Sequence, residues 1–256
     1  MRELTGSPPD QNDDMHYTYS DISKMIDHSL LIPTMTEADL IAGIELAKAY
    51  DVASVCIMPY ALPRCVEMLQ GTTVKASTTI GFPHGGHTTA IKRAEAEQAI
   101  ADGCEELDMV VNISQVLSHN WGYVRNDIAA VIDVAHAANR QVKVIFENCY
   151  LSDEHKIELC RICSELNADW VKTSTGYGTG GATLDDLRLM RKHAAPHVAI
   201  KAAGGIRDLD TLLAARELGV SRCGASRTRE ILDECRSRLG LAPIRMSGHP
   251  SLPNGY

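Results

Sequence analysis

The feature that most constrains this chain is a pattern that repeats eight times: a short apolar run, then a longer stretch with helical periodicity. The first run is Met25-Ile26 leading to Leu31, and the others are residues 52–58, 73–82, 106–113, 141–147, 169–174, 197–203 and 220–226. Intervening stretches such as "TEADLIAGIELAKAY" and "TLDDLRLMRKHA" carry apolar residues at i, i+3, i+4 and i+7, the mark of an amphipathic helix. Thr36 before Asp39 and Thr183 before Asp186 have capping-box spacing, whereas Thr228 has Ile231 in the matching place. Strands that are apolar throughout belong to a parallel sheet covered by helices. Eight strand–helix units is the number that closes a (β/α)8 TIM barrel, so the expected class is α/β with a parallel eight-stranded barrel. An open doubly wound sheet is the alternative. It calls for a glycine fingerprint after the first strand, and "DHSLLIP" has no glycine.

The 256 residues suit one such barrel, since these run to about 250 residues as one domain. The barrel is expected over residues 19–241, with residues 1–18 as a flexible arm and 242–256 as a flexible tail, both rich in Pro, Gly and Ser. A net charge of -8 argues against nucleic acid as a partner, because such proteins carry a basic footprint. No stretch is apolar enough to cross a membrane, and the N-terminus has no signal pattern. Eight cysteines spread over a full-sized core read as reduced thiols of a cytoplasmic protein. Cys160 and Cys163 form a C-x-x-C within a helical pattern, read as packing because no second pair lies nearby.

A barrel exposes its working groups at the C-terminal ends of its strands and in the loops that follow. Those positions hold Asp27 and Ser29, Cys56, the loop "GFPHGGH", Asp108 and Asn112, and Glu147 and Asn148. Lys172 with Thr173 and Ser174, then Lys201, then Gly224 and Ser226 complete the set. Lys172 directly follows the apolar pair Trp170-Val171, where a charged amine is costly to desolvate. Lys201 stands on the next strand, and neighbouring strands lie about 4.8 Å apart. A second cation nearby lowers the pKa of the first. A neutral lysine amine adds to carbonyl groups and forms Schiff bases. Asp108 supplies an acid–base group. Amine, pKa-tuning cation and carboxylate are the equipment of an aldolase that needs no metal or other cofactor. The alternative for each lysine is a structural ion pair with a carboxylate such as Asp108 or Glu147.

Three glycine-bearing loops follow strands six, seven and eight: "STGYGTGGATLDDL", "AGGIRDLDTL" and "GASRTREIL". Glycine lets backbone N–H groups approach an anion, and a helix N-terminus favours its charge. The loops after strands seven and eight are the usual barrel phosphate site. Three in succession beside the lysines point to a phosphorylated substrate.

"DHSLL", "GFPHGGHTTAIKRAEAEQAIADGCEELDMVVNI", "VKVIFENCYL", "DWVKTSTGYGTGGAT" and "IKAAGGIRDLDTL" together resemble the deoxyribose-phosphate aldolase family, from about Ser20 to Leu239. The resemblance implies a Schiff-base aldolase that reversibly cleaves 2-deoxy-D-ribose 5-phosphate to D-glyceraldehyde 3-phosphate and acetaldehyde, in deoxyribonucleotide catabolism. It implies that Lys172 forms the imine, that Lys201 depresses its pKa, and that Asp108 handles protons through water. Asp27 and Ser29 would hold substrate hydroxyls and water, and Cys56 would line the pocket. Gly176, Gly204, Gly205 and Ser226 would bind the phosphate. A homodimer is implied on the same ground. The chain departs from the family pattern at Ser29 and Ile32, where many members have threonine and lysine, and at Arg227, where many have a second serine. Tyr177 falls at a position that varies in the family. Arg227 either adds positive charge at the phosphate or turns outward. Some members end in a tyrosine that reaches the site and assists proton transfer, and Tyr256 ends this tail; the alternative is an incidental terminal residue.

Three other functions compete. One is an aldolase for a different phosphorylated sugar. Another is a metal-dependent lyase built on His84, His87 and further histidines. The last is a non-catalytic sugar-phosphate binder, which has no need of a pKa-lowered lysine. Asn112-Ile-Ser114 matches a glycosylation acceptor but has no secretion signal with it.

Overall fold

Eight parallel strands close on themselves in chain order, each hydrogen-bonded to the next and β8 to β1. They are β1 Ile26–Leu30, β2 Ser54–Ile57, β3 Lys75–Ile80, β4 Glu106–Val110, β5 Gln141–Ile145, β6 Trp170–Lys172, β7 Ala199–Ala203 and β8 Val220–Ala225. The computed structural model describes residues 16–246. Among the described residues ten α-helices surround the strands: α1 Tyr19–Ser23, α2 Glu37–Ala49, α3 Leu62–Leu69, α4 Thr89–Ala101, α5 Ile113–Leu117, α6 Trp121–Ala137, α7 Asp153–Glu165, α8 Leu184–His193, α9 Leu209–Glu217 and α10 Thr228–Arg238. The expected single barrel is what forms.

Capping chemistry sets many of the helix starts. Thr36 accepts from Asp39 N–H and Asp39 returns the bond to Thr36 N–H, closing the expected box. Thr183 caps α8 through Asp186 N–H. Thr18 caps α1 with a box of the same kind, so helical structure begins at the edge of the expected arm. Past α10, Ile244 and Met246 pack against the core. Asn112, which the sequence assigns to a strand end, is the cap of α5, with Gln115 N–H as its donor. Cys160 and Cys163 are free and buried in α7, as helix packing requires.

The hydrophobic core is the shell between strands and helices, where Ile26, Leu30, Val55, Ile57, Val144, Val171 and Ile200 are all fully buried. The barrel interior is different. Asp27, Ser77, Glu106, Asp108, Lys143, Lys172, Lys201 and Arg222 meet there. The strands thus turn most of their charged residues inward. A β-bulge in β8 aids this: Ile200 pairs with Val220 and Lys201 with Arg222, leaving Ser221 as an extra residue. Bulges re-aim side chains, and here Arg222 is turned to stack 5.1 Å over the Trp170 ring at the barrel floor.

Candidate active site

Lys172 ends β6 and Lys201 sits in register beside it on β7. Asp108 Oδ2 accepts from both amines, at 2.6 Å from Lys172 Nζ and 2.7 Å from Lys201 Nζ. Its other oxygen accepts from Lys143 Nζ at 2.9 Å and Ser77 at 3.3 Å. Lys201 also reaches Asp27 Oδ2 at 2.6 Å. Deeper in the barrel Lys143 bridges to Glu106 at 2.6 Å, and Arg222 clamps Asp27 at 2.5 Å and Glu106 at 2.9 Å. Both lysines therefore make the ion pair with Asp108 that the structural alternative expected. Glu147 is not a direct partner. It takes hydrogen bonds from the N–H and hydroxyl of Thr175, which tie down the start of the loop after β6.

Buried charges must nearly balance. Four cations (Lys143, Lys172, Lys201, Arg222) face three carboxylates (Asp27, Glu106, Asp108), all inside the barrel. Lys75 touches Glu106 from the rim, where it is 37% exposed and screened by water. One buried cation is in excess, and Lys172 is the one whose pKa is lowered. Burial is the larger cause and the charge on Lys201 adds to it, both outweighing Asp108. Burial also pulls on Lys201, but Asp108 and Asp27 outweigh it and hold that lysine charged. Asp108 is held well below the usual carboxylate range: burial opposes its charge, and Lys143, Lys172 and Lys201 more than offset that. The Cys56 thiol is pushed up, by burial first, and stays protonated.

Above the two lysines lies a cavity of about 290 Å³. Asp27, Ser29 and Cys56 line it on one side, and Gly204, Gly205 and Ser226 line its other end. Asp108 lies beneath, fully buried, and is reached through the two lysines. Gly176 is outside the lining, although the adjacent Thr175 is within it. Arg207 and Arg227 both face the glycine end, so Arg227 points toward the cavity. The α10 N-terminus behind Arg227 has no side-chain cap, which leaves its N–H groups for an anion. The α9 N-terminus is already served by Asp208 through Thr211 N–H. Gly204 and Gly205 have φ of 77° and 88°, a region that favours glycine. Gly204 also packs on Gly181 so closely that a Cβ there would lie 2.9 Å from Gly181 Cα. Ala182 N–H donates 3.0 Å bonds to Ala203 O and Gly204 O, fastening the two loops together.

His84 and His87 are exposed on the loop after β3. Among the described residues, no group of three or more His, Cys, Asp or Glu is placed to hold a metal ion. Tyr256 lies outside the described residues. Sequence reasoning missed Lys143, Glu106, Arg222 and Arg207. A signal for one of them was present: Glu106 is two residues before Asp108, hence on the same face of its strand.

An amine whose pKa is lowered by burial and a neighbouring cation, over a shared carboxylate at the open end of a parallel barrel, is the equipment of an imine-forming aldolase. The chain belongs to the DeoC/LacD family of aldolases, whose model matches residues 22–232. It is 69% identical over 240 residues to a deoxyribose-phosphate aldolase of Rhodopirellula baltica, covering 94% of this chain and 99% of that protein. A deoxyribose-phosphate aldolase of Thermococcus gammatolerans is 45% identical over 85% of this chain and 97% of its own length. The solved structure of a tetrameric deoxyribose phosphate aldolase from Aeropyrum pernix superposes with a TM-score of 0.80 at 28% identity, covering 89% of this chain and 96% of that one.

Proposed function

We propose that this aldolase reversibly cleaves 2-deoxy-D-ribose 5-phosphate to D-glyceraldehyde 3-phosphate and acetaldehyde. The observation that carries the mechanism is the buried charge set in which Lys172 alone is pushed toward neutrality. The neutral Lys172 amine adds to the C1 aldehyde, and the carbinolamine loses water to give a protonated imine. A base then removes the C3 hydroxyl proton. The C2–C3 bond breaks, its electron pair flows into the imine, and C3 becomes the aldehyde of glyceraldehyde 3-phosphate. Protonation of the resulting enamine at C2 and hydrolysis release acetaldehyde and restore the amine. Lys201 and Asp108 relay these protons through water, and Tyr256 delivers the proton to C2.

The substrate lies with its hydroxyls toward Asp27 and Ser29, its reacting end near Cys56, and its phosphate at Gly204, Gly205 and Ser226, beside the uncapped α10 N-terminus. Gly176 contributes by its turn, with a φ of 91°. Names of the relatives support this substrate. The enzyme works in the cytoplasm on small sugar phosphates and aldehydes, as a step of deoxyribonucleotide catabolism. Free thiols throughout the described chain support that compartment. None of its helices among the described residues is long and apolar enough to cross a membrane. The family resemblance supports a homodimer.

Borohydride reduction in the presence of deoxyribose 5-phosphate, followed by peptide mass spectrometry, tests the central step. An adduct on Lys172 is expected. Turnover without that adduct would remove the imine from the mechanism, and turnover on another sugar phosphate alone would replace the substrate.

A further inference from the structure

The amine cavity has a neighbour. A second, apolar chamber of about 550 Å³ opens beside it, walled by Met58, Pro59, Phe82 and Pro83. It reaches Thr79, which is buried and stands in register with Asp108 on the adjacent strand. The two spaces thus converge on the same level of the barrel. Leu31 lines both. Tyr177 lines the apolar chamber and closes the gap. It rises from the loop five residues beyond Lys172 and crosses to the loop after β1, where its hydroxyl donates a 2.6 Å bond to Leu31 O. Its ring meets Phe82 edge-to-face, with centroids 5.5 Å apart and planes at 87°. One side chain therefore ties together the loops after β1, β3 and β6.

We propose that Tyr177 is a specificity-determining residue: with Leu31 it partitions the apolar chamber from the amine and limits the carbonyl donor to a short chain. The proposal rests on the aldolase reading above. In the synthetic direction a donor R–CH2–CHO condenses with the Lys172 amine and loses water. The imine then sheds a proton from its CH2 group to become an enamine. That carbon attacks the acceptor aldehyde, whose oxygen takes up a proton, and hydrolysis frees the amine. When R is hydrogen, the donor is acetaldehyde and fits beside Cys56. When R is an alkyl chain, the apolar space that would hold it lies behind the Tyr177–Leu31 bar.

The chemistry of the chamber favours this assignment. Its wall is Met, Pro and Phe, and no basic side chain among the described residues lines it to attract a second phosphate. Glu95, the one carboxylate on its edge among those residues, already accepts from Gly81 N–H at 2.6 Å. A purely structural role for Tyr177 would affect stability or all donors alike. A partition changes the ratio between donors.

The test is the kcat/KM ratio of butanal to acetaldehyde, with D-glyceraldehyde 3-phosphate as acceptor. One methylene in an apolar pocket is worth roughly tenfold or more in discrimination, so the wild-type enzyme should disfavour butanal by at least about tenfold. Y177A should raise the ratio by about tenfold, and Y177F, which keeps the ring, should leave the ratio near that of wild type. Y177L serves the same comparison should the alanine variant fail to fold. Refilling the chamber in Y177A/M58W should cancel the gain. An unchanged ratio in a folded Y177A or Y177L, or a gain that survives M58W, would overturn the proposal. So would a wild-type enzyme indifferent to donor length. A wild-type enzyme that does not cleave deoxyribose 5-phosphate at all would instead sink the aldolase reading.

Discussion

Lys172 and Lys201 share one acceptor atom, Oδ2 of Asp108, at 2.6 and 2.7 Å. Two ammonium groups on one carboxylate oxygen would repel each other in a buried site. The conflict resolves unequally, because Lys201 has Asp27 as a second anion and Lys172 has no second one among the described residues.

The inequality sets a pH profile. Substituting Lys201 by methionine removes the cation that disfavours charge on Lys172 and leaves Asp108 to Lys172 and Lys143. The Lys172 pKa then rises, and less neutral amine is present at pH 7. The acid limb of kcat/KM should move to higher pH in K201M. Below that limb, activity should fall about tenfold for each pH unit the limb has moved. An acid limb that stays in place while activity falls uniformly would show that Lys201 acts only on bound substrate.

Lys143 performs the same balancing from below. With it gone, three carboxylates face Lys172, Lys201 and Arg222, and Lys172 becomes the cation that balance requires. K143M should lose activity at neutral pH and regain part of it as pH rises. Removing one partner of a buried ionic set costs about 3–5 kcal/mol, so urea unfolding should shift by that order. E106Q added to K143M should recover part of the loss, a coupling that a double-mutant cycle reads directly. Additive losses would contradict the shared charge balance.

His28 makes stability depend on pH for a separate reason. It is fully buried, with Nδ1 2.8 Å from Thr228 Oγ1, and burial pulls its pKa from 6.5 to about 4. Between those values the unfolded chain binds a proton that the folded chain does not, so stability falls as pH drops through this window. At about 1.4 kcal/mol per pH unit, the contribution by pH 4 is about 3 kcal/mol. H28Q should show a shallower decline in unfolding free energy between pH 6.5 and 4. Parallel curves for the two proteins would assign the decline to other groups.

Arg227 faces the glycine end of the cavity and is exposed. An exposed cation acts on a phosphate mainly through a salt-screened field. R227S should raise KM for deoxyribose 5-phosphate severalfold at low ionic strength, and less at high. Cleavage of unphosphorylated 2-deoxyribose should change little. Equal effects on both sugars would place Arg227 away from the phosphate.

Much of this protein was legible in the chain. The barrel followed from apolar runs and amphipathic stretches, and Lys172 and Lys201 stood out because lysine at a buried strand end demands a reason. Strand edges were less legible. The run 73–82 shrinks to Lys75–Ile80 because Gly81, at φ 64°, turns the chain, and Ile113 belongs to a helix that Asn112 caps. The deeper charges escaped notice for a physical reason. Lys143 lies between Val142 and Val144, and Glu106 and Arg222 are followed by Leu107 and Cys223, so single charges within short runs still read as part of an apolar strand. Their partners are distant in sequence, as with Arg222 and Glu106, 116 residues apart. The pocket lining was only partly legible at Gly176, because a turn glycine beside the lining residue Thr175 looks the same in sequence as one within the lining.

The Gly181–Gly204 contact has a mechanical consequence. Two loops whose backbones touch, with Ala182 bonded to both Ala203 and Gly204, cannot move independently. On the function proposed above, one of them carries the phosphate end and the other begins at the reacting lysine. Force applied by an anion at Gly204 and Gly205 is therefore transmitted through rigid backbone to the segment that holds Lys172. The tail of the substrate can thereby set the posture of the amine that attacks its head, so remote binding energy is felt in the turnover step as well as in affinity.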